Sequence, residues 1–342
     1  MSDGPDAGGG GGGDPDAAVD PARPDAGAVE EAADPSKPGP WPVGVRTIEL
    51  VDIARNRSLP IDVWYPALDD GEPNVYELPP IASIETAARR NATPAPGAPR
   101  PLILFSHGYG GVRFQSYFLT EQLASHGFVV ASPDHPGNTL FDAFTGGDEA
   151  AAQSAIDRPL DMLAVLDHLT ASSFTPIDPD RVGITGHSFG GWTSFETARR
   201  DDRLRVVFPM APGFRNGARP DMVAELDRPV CIFGGSVDDT TPFDTDQLAP
   251  YELAATPKYL IQITGAGHLD FSNLCEIPIA ALFVDDGCDP ASIEPADVQS
   301  RVSTLATAFA LRYLAGDEQY DAYLAPDYVN GLGKLEYWSE PE

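Results

Sequence analysis

The residues best suited to chemistry lie in the run Gly186-His187-Ser188-Phe189-Gly190-Gly191. A buried strand is predicted just before it, over Val182–Thr185, and a helix begins near Phe189. A sharp turn between a strand and a helix strains the backbone at the serine and exposes its Oγ. Glycines two places before and two places after the serine keep the strand and the helix from colliding. This setting predicts Ser188 as a nucleophile.

A serine hydroxyl becomes a good nucleophile when a histidine takes its proton and a carboxylate orients that histidine. His268 is the only histidine after the serine in the chain, and it follows a predicted strand over Lys258–Ile263. Two neighbouring carboxylates, Asp238 and Asp239, follow the predicted strand Pro229–Gly234. We favour Asp238 because it comes first after its strand, and Asp239 is the alternative. The order Ser, Asp, His is the one that a strand–turn–helix nucleophile requires.

Acyl transfer forms a tetrahedral oxyanion, which fixed N–H groups must stabilise. A glycine-rich loop, Ser106-His107-Gly108-Tyr109-Gly110-Gly111, follows the predicted strand Pro101–Ser106. In such sites one N–H comes from the residue after the nucleophile, here Phe189, and another from this upstream loop. We expect Tyr109 to provide the second. The alternative is an ordinary glycine-rich turn.

The three cysteines, Cys231, Cys275 and Cys288, lack the close spacing of a zinc site, and we expect no metal. Cys231 lies inside a predicted buried strand and should be a core residue. Cys275 and Cys288 flank one loop and could form a disulfide if the protein is exported. No phosphate-binding or dinucleotide-binding motif is present, so no cofactor is implied.

The chain has 342 residues, with 52 acidic and 22 basic side chains. This negative balance argues against a nucleic-acid partner and against docking on an anionic bilayer. It is compatible with a well-solvated surface or with adaptation to high salt. No apolar run is long enough to span a membrane. We expect a monomer.

Residues 1–40 are rich in Gly, Asp, Ala and Pro and should form a disordered leader. Such a leader resembles the spacer behind a removed export signal or lipid anchor, which predicts a secreted or cell-envelope enzyme; a cytoplasmic protein is the alternative. Residues 41–342 should form one domain. An extension over about 317–342 should pack on its outside.

The predicted elements alternate between strand and helix through most of this domain. Two strands, Thr47–Val51 and Leu59–Tyr65, should pair antiparallel at a sheet edge. The long helix Ile156–Leu169 should bury an apolar stripe that includes Ile156. This order predicts an α/β fold with a doubly wound, mostly parallel sheet and little or no cap.

With these residues in place, the sequence resembles the α/β-hydrolase superfamily over about residues 41–314. Within it, the chain is most similar to the platelet-activating-factor acetylhydrolase and dienelactone-hydrolase-like bacterial esterases, and next to cutinase-like polyester hydrolases. The segments that carry the resemblance are Gly39–Gly44, Asp62–Pro66, Ser106–Gly110, Asp157–Pro159 with Val165–Asp167, Gly186–Gly191 and Gly265–His268. Two differences stand out. Dienelactone hydrolases have a cysteine at the position of Ser188, and the tryptophan that many polyester hydrolases carry after the next strand is replaced by Met210-Ala211-Pro212-Gly213-Phe214.

The sequence therefore predicts a serine carboxylic-ester hydrolase that works through Ser188, Asp238, His268 and an acyl-enzyme. We expect short-chain or acetyl esters as substrates, with a polyester or a phospholipid acetyl ester as the alternative. Tyr109, Trp192 and Phe214 are the predicted apolar walls of the acyl site, although Trp192 is equally compatible with the core beneath the helix. Two rival functions are a catalytically silent binding protein on the same fold and a cofactor-free haloperoxidase or transferase with the same three residues.

Overall fold

The short apolar runs of the sequence form the centre of one mixed sheet. The structure is a computed structural model that describes residues 1, 32–78, 81–145, 151–172, 174–214, 220–277 and 286–342. Its strands are β1 (Val43–Asp52), β2 (Arg57–Pro66), β3 (Glu72–Leu78), β4 (Ala82–Arg90), β5 (Arg100–Ser106), β6 (Val129–Pro133), β7 (Ile177–Gly186), β8 (Leu204–Val207), β9 (Val230–Gly235), β10 (Lys258–Ile263) and β11 (Leu335–Glu340). Their order across the sheet is β11-β10-β9-β8-β7-β5-β6-β2-β1-β4-β3.

The six strands from β5 to β10 run parallel, so their carboxyl ends meet at one edge of the sheet. The pairing register brings the predicted functional loops together in twos. Ser106 at the end of β5 lies opposite Gly186 at the end of β7. Ile263 at the end of β10 lies opposite Gly235 at the end of β9. The glycine-rich loop therefore starts beside the nucleophile turn, and the histidine loop starts beside the acid loop.

Two groups of helices cover the sheet and complete the predicted doubly wound α/β fold. One group contains α1 packed on α6, and the other contains α3 packed on α4. The helices are α1 (Tyr117–Ser125), α2 (Leu140–Thr145), α3 (Ala151–Thr170), α4 (Phe189–Arg200), α5 (Ala249–Leu253), α6 (Pro295–Tyr313), α7 (Asp321–Leu324) and α8 (Pro326–Gly331). Among the described residues, no helix is both long and apolar enough to cross a bilayer.

The sheet extends beyond both predicted edges. β1 and β2 pair antiparallel as predicted, but the hairpin of β3 and β4 lies outside them, so β1 and β2 are not edge strands. The hairpin escapes sequence reasoning because β4 contains three Ala and one Glu, residues of low β-propensity, and ends in two charged arginines. At the other edge, β11 pairs antiparallel with β10. The segment predicted to pack on the outside thus contributes an edge strand.

The predicted leader of residues 1–40 falls mostly outside the described residues. Of this segment, residues 33–40 belong to the same compact unit as the rest of the fold. The Gln122 side chain on α1 donates to the carbonyls of Pro35 and Lys37 at 2.9 and 2.7 Å. The N–H of Gly39 donates to Ser125 Oγ at 2.8 Å. This short piece therefore packs against α1 as part of the folded domain.

The long helix α3 buries a more polar face than its sequence predicts. Ile156, expected in the apolar stripe, is 55% exposed. Arg158 and Asp161, two and five residues further along, are fully buried where the helix passes beneath the loop after β5. The prediction of an apolar stripe is wrong at Ile156, because the buried surroundings of this end of the helix consist of hydrogen-bonding groups rather than apolar side chains. From Met162 onward the buried positions are apolar.

Candidate active site

Ser188 occupies the sharp turn between β7 and α4. Its backbone has φ 58° and ψ −121°, a conformation that side-chain-bearing residues rarely adopt. A Cβ on Gly190 would lie 1.8 Å from the carbonyl oxygen of Ser106, and one on Gly186 would lie 2.5 Å from the carbonyl oxygen of Gly190. Both positions therefore require glycine, for the steric reason that the sequence predicted.

The side chains of Ser188, His268 and Asp238 form one hydrogen-bonded line. The distance from Ser188 Oγ to His268 Nε2 is 2.8 Å, and that from His268 Nδ1 to Asp238 Oδ2 is also 2.8 Å. His268 and Asp238 are 4% and 5% exposed. With an N–H on Nδ1 facing the carboxylate, the lone pair of Nε2 faces the serine hydroxyl. This arrangement suits proton transfer from the serine to the histidine.

The structure places the two candidate carboxylates differently. Asp238 is buried and contacts the histidine ring, whereas the neighbouring Asp239 is exposed. Asp238 accepts further hydrogen bonds from the backbone N–H of Thr241 at 2.6 Å and from its hydroxyl at 2.7 Å. The carboxylate is therefore fixed by three donors from two residues, His268 and Thr241.

Sequence reasoning missed three residues that hold this line in place. Thr241 Oγ1 lies 3.2 Å from His268 Nδ1, and Gln247 Nε2 donates to the Thr241 carbonyl at 3.0 Å. The spacing Asp-x-x-Thr is typical of a side chain that caps its own turn, and it was a usable signal. Asp286 accepts the N–H of His268 at 3.0 Å and that of Thr240 at 2.7 Å. Its distance along the chain left no such signal.

The loop after β5 lies directly against the nucleophile turn. A Cβ on Gly108 would lie 3.5 Å from Ser188 Cβ. The ring of Tyr109 is tilted against that of Phe189 with 6.1 Å between centroids, and the Tyr109 side chain is 47% exposed. The structure thus brings the two residues chosen as oxyanion donors to the same place, beside Ser188.

Three buried histidines surround this loop. His187 Nε2 lies 3.0 Å from the His268 carbonyl, and its Nδ1 lies 3.0 Å from the Gln115 side chain. His107 Nδ1 lies 2.7 Å from the Gly108 carbonyl, and His135 Nε2 lies 3.0 Å from Ser106 Oγ. Burial lowers the pKa of all three imidazoles well below the usual value. The three imidazoles remain neutral at pH 7 and hold the loop in place through hydrogen bonds.

The three predicted wall residues lie in different environments. Tyr109 is the exposed one. Trp192 is only 7% exposed and stacks on Phe189 with 5.4 Å between ring centroids. Phe214 packs against Phe195 at 5.8 Å and contacts the core cluster. Trp192 therefore lies where the core alternative put it.

The cysteines behave in two ways. Cys231 is fully buried in β9, as predicted, and burial raises the pKa of its thiol. Cys275 and Cys288 form a disulfide. Asp270 lies beside them, but two bonded sulfurs and one carboxylate do not offer a metal three ligands. Asp270 caps turns instead, accepting the N–H groups of Gly267 and Cys288 at 2.8 Å each.

Comparison with known proteins gives a consistent result. The PET hydrolase-like (PETase) family model matches residues 95–285. Platelet-activating factor acetylhydrolase from Cavia porcellus is 22% identical over 84% of this chain and 80% of its own length. Cutinase est1 from Thermobifida alba is 26% identical over 67% of this chain and 66% of its own. Bis(hydroxyethyl) terephthalate hydrolase from Streptomyces coelicolor is 25% identical over 66% and 60%.

Among solved structures, ferulic acid esterase from Streptomyces cinnamoneus is similar in fold. Its TM-score is 0.69 at 24% sequence identity, over 87% of this chain and 97% of that one. Fold and comparisons together define the class, a carboxylic ester hydrolase with the α/β-hydrolase fold. Within that class, the chain belongs to the PET hydrolase-like family.

Proposed function

We propose that this enzyme hydrolyses short-chain carboxylic esters through Ser188, His268 and Asp238. The observation that carries the proposal is the pair of 2.8 Å contacts that joins Ser188 Oγ through the imidazole to Asp238. The strained backbone at Ser188 supports it, because such strain persists mainly at functional positions.

In the first half-reaction, His268 Nε2 accepts the hydroxyl proton of Ser188 while Oγ bonds to the ester carbonyl carbon. Asp238 stabilises the imidazolium that forms. The N–H groups of Tyr109 and Phe189 donate to the oxyanion. The carbon–oxygen bond to the alcohol then breaks, and His268 returns the proton to the departing oxygen.

In the second half-reaction, a water molecule gives its proton to His268 and attacks the acyl-enzyme. A second oxyanion forms and collapses, which frees the carboxylic acid and returns the proton to Ser188 Oγ. Each proton taken is later given back, so neither half-reaction requires a cofactor.

The relatives favour two substrate classes. A relative along most of this chain is named for acetyl-ester hydrolysis, which supports acetyl or short acyl groups. Polyester or terephthalate diesters are the second candidate, because the family is named for PET hydrolysis and two other relatives are named as a cutinase and a bis(hydroxyethyl) terephthalate hydrolase. The exposed Tyr109 ring beside the turn would contact an acyl group or an aromatic diacid equally well. Trp192 and Phe214 would form the apolar packing behind the Tyr109 ring.

We also propose that the protein works outside the cytoplasm as a monomer, in a secreted or cell-envelope setting. The disulfide between Cys275 and Cys288 supports export, because such bonds persist in oxidising compartments. The alternative of a cytoplasmic enzyme predicts free thiols at both positions in protein isolated from its native source.

One experiment tests the reaction and ranks its substrates. A fluorophosphonate probe, followed by peptide mass spectrometry, should label Ser188 and no other serine. A panel of p-nitrophenyl esters from acetate to palmitate, a polyester film and a short-chain phospholipid should give the highest kcat/KM with the short esters. Absence of labelling at Ser188 would favour a silent binding protein, and a preference for the film would favour the polyester candidate.

A further inference from the structure

Arg158 on α3 is fully buried beneath the loop that carries Tyr109. Its Nη2 donates to Ser106 Oγ at 2.9 Å and to the carbonyl oxygen of His107. Its Nη1 donates to Asn138 Oδ1 at 2.9 Å and lies 3.4 Å from the carbonyl oxygen of Gly108. One guanidinium thus reaches two consecutive carbonyls of the loop.

The Asp161 carboxylate attracts this buried cation from beyond ion-pair distance. In the part of the chain that the structure describes, no ion pair within 4 Å includes Arg158. Asp161, one turn along the same helix, contacts Arg55 at 2.8 Å, Arg57 at 2.9 Å and His135 at 3.0 Å. Burial lowers the pKa of Arg158 to about 9, so it stays protonated at neutral pH. Burying a cation without a direct ion pair is costly, so a role beyond packing would account for its presence.

Arg158 contacts the peptide group that joins Gly108 to Tyr109, and the orientation of this peptide determines where the Tyr109 N–H points. In a planar trans peptide the carbonyl and the following N–H point in opposite directions. The Gly108 carbonyl accepts the N–H of Gly111 at 3.2 Å, and His107 Nδ1 and Arg158 Nη1 lie 2.7 and 3.4 Å from it. Fixing this carbonyl on the α3 side directs the Tyr109 N–H to the opposite side.

The nucleophile lies close to that peptide. The Gly108 N–H donates to Gln115 Oε1 at 3.0 Å, and a Cβ on Gly108 would lie 3.5 Å from Ser188 Cβ. The Arg158 guanidinium also lies over the Phe189 ring, 4.7 Å from its centroid. It therefore contacts both elements that carry the proposed oxyanion donors. A positive charge there would also favour a developing oxyanion.

We propose that Arg158 is a positioning residue for the oxyanion site. It holds the Gly108–Tyr109 peptide in the orientation that aims the Tyr109 N–H at the oxyanion, and it places a buried positive charge behind that peptide. This inference rests on the proposed function, because it takes Tyr109 as an oxyanion donor.

The test uses R158Q and R158K in the full chain. R158Q removes the charge and the contact with two carbonyls. The kcat for p-nitrophenyl acetate should fall about 100-fold, which is the effect of losing one oxyanion donor. The KM should stay within about threefold of that of the wild type. R158K keeps the charge without the planar fork, and about a tenfold loss is expected. For an aryl trifluoromethyl ketone, whose adduct carries the oxyanion, Ki should rise by the same factor as kcat/KM falls.

R228Q is the matched control. Arg228 is also largely buried and also donates to two backbone carbonyls, those of Asp201 and Leu204, at the opposite end of the sheet. Its loss should lower the Tm without changing kcat or Ki. If R158Q does not fold, R158K alone is used for the test. A wild-type kcat in whichever Arg158 variant folds would overturn the proposal, and so would an unchanged Ki. If S188A kept its activity, the proposed function itself would fail, which is a different result.

Discussion

The carboxylate of Asp286 is hydrogen-bonded to the backbone of His268, with 3.0 Å between Asp286 Oδ1 and the His268 nitrogen. Its other oxygen accepts the N–H of Thr240 at 2.7 Å, in the loop that carries Asp238. One side chain from a third segment therefore sets the separation of the histidine loop and the acid loop. The 2.8 Å contact between His268 and Asp238 depends on that separation.

Replacing Asp286 by alanine should lower kcat about tenfold, because small misplacements of a catalytic base are costly. KM for a short p-nitrophenyl ester should change little. The control is D289A, in the same segment, where the exposed carboxylate accepts the N–H of Ala291 at 3.0 Å. Steady-state kinetics of both variants checks this. Equal kcat values for D286A and D289A would contradict it.

The disulfide should stabilise the segment that carries Asp286. Cys275 and Cys288 close a short loop, with a sequence separation of 13, and loss of such a bond costs about 2–4 kcal/mol in the free energy of unfolding. Urea unfolding of the C275S/C288S double variant should show this loss. Dithiothreitol should destabilise the wild type and leave the double variant unchanged, although both keep Cys231. If dithiothreitol destabilised the wild type and the double variant equally, the disulfide between Cys275 and Cys288 would be contradicted.

The buried histidines should make the fold sensitive to mild acid. The pKa values of His107, His135 and His187 are held well below 6.5 by burial, whereas in the unfolded chain they titrate near 6.5. Below that pH the unfolded state binds protons that the native state does not, so stability is lost as pH falls. The slope is up to about 1.4 kcal/mol per pH unit for each histidine.

Burial raises the pKa of Asp134 and Asp161, so their native carboxyls take up protons as pH falls and act in the opposite direction. The histidines of the unfolded chain titrate near 6.5, above the ordinary carboxyl values. Urea unfolding between pH 7.5 and 5.5 is therefore the informative window. H187N should show a shallower pH dependence than the wild type. A free energy of unfolding that stays level or rises toward pH 5.5 would refute the prediction.

The two neighbouring carboxylates should differ sharply in importance. D238N removes the charge that stabilises the imidazolium and disturbs its tautomer, so kcat should fall on the order of 10³–10⁴-fold. D239N changes an exposed side chain and should stay within about threefold of wild type. Both variants are isosteric, so kinetics with one ester compares them directly. The reverse ranking would restore Asp239 as the acid.

Much of the fold was predictable because the central strands are short apolar runs that end in glycine-rich or polar loops. The edges were not. β3 buries Asn74, Tyr76 and Leu78 in strict alternation, but the pattern is carried by only three positions and one of them is polar. The pairing of β11 with β10 likewise depends on a tertiary contact that no local signal marks.

The site divides in the same way. Ser188, His268 and the loop containing Tyr109 follow from local motifs at strand ends. Arg158 and Asp286 act through contacts with distant segments, and a sequence pattern does not show which carbonyl or N–H a buried charge will meet. The preference for Asp238 over Asp239 came from its position after the strand, whereas the structure separates the two by burial and by contact with His268.

The most direct test of the central claim is the kcat/KM of S188A for a short p-nitrophenyl ester. The Ser188 hydroxyl is the atom that bonds to the acyl group, so its loss should reduce kcat/KM by at least about 10³-fold, while the Tm stays near that of the wild type. A folded S188A enzyme that kept most of its activity would contradict the assignment of Ser188 as the nucleophile.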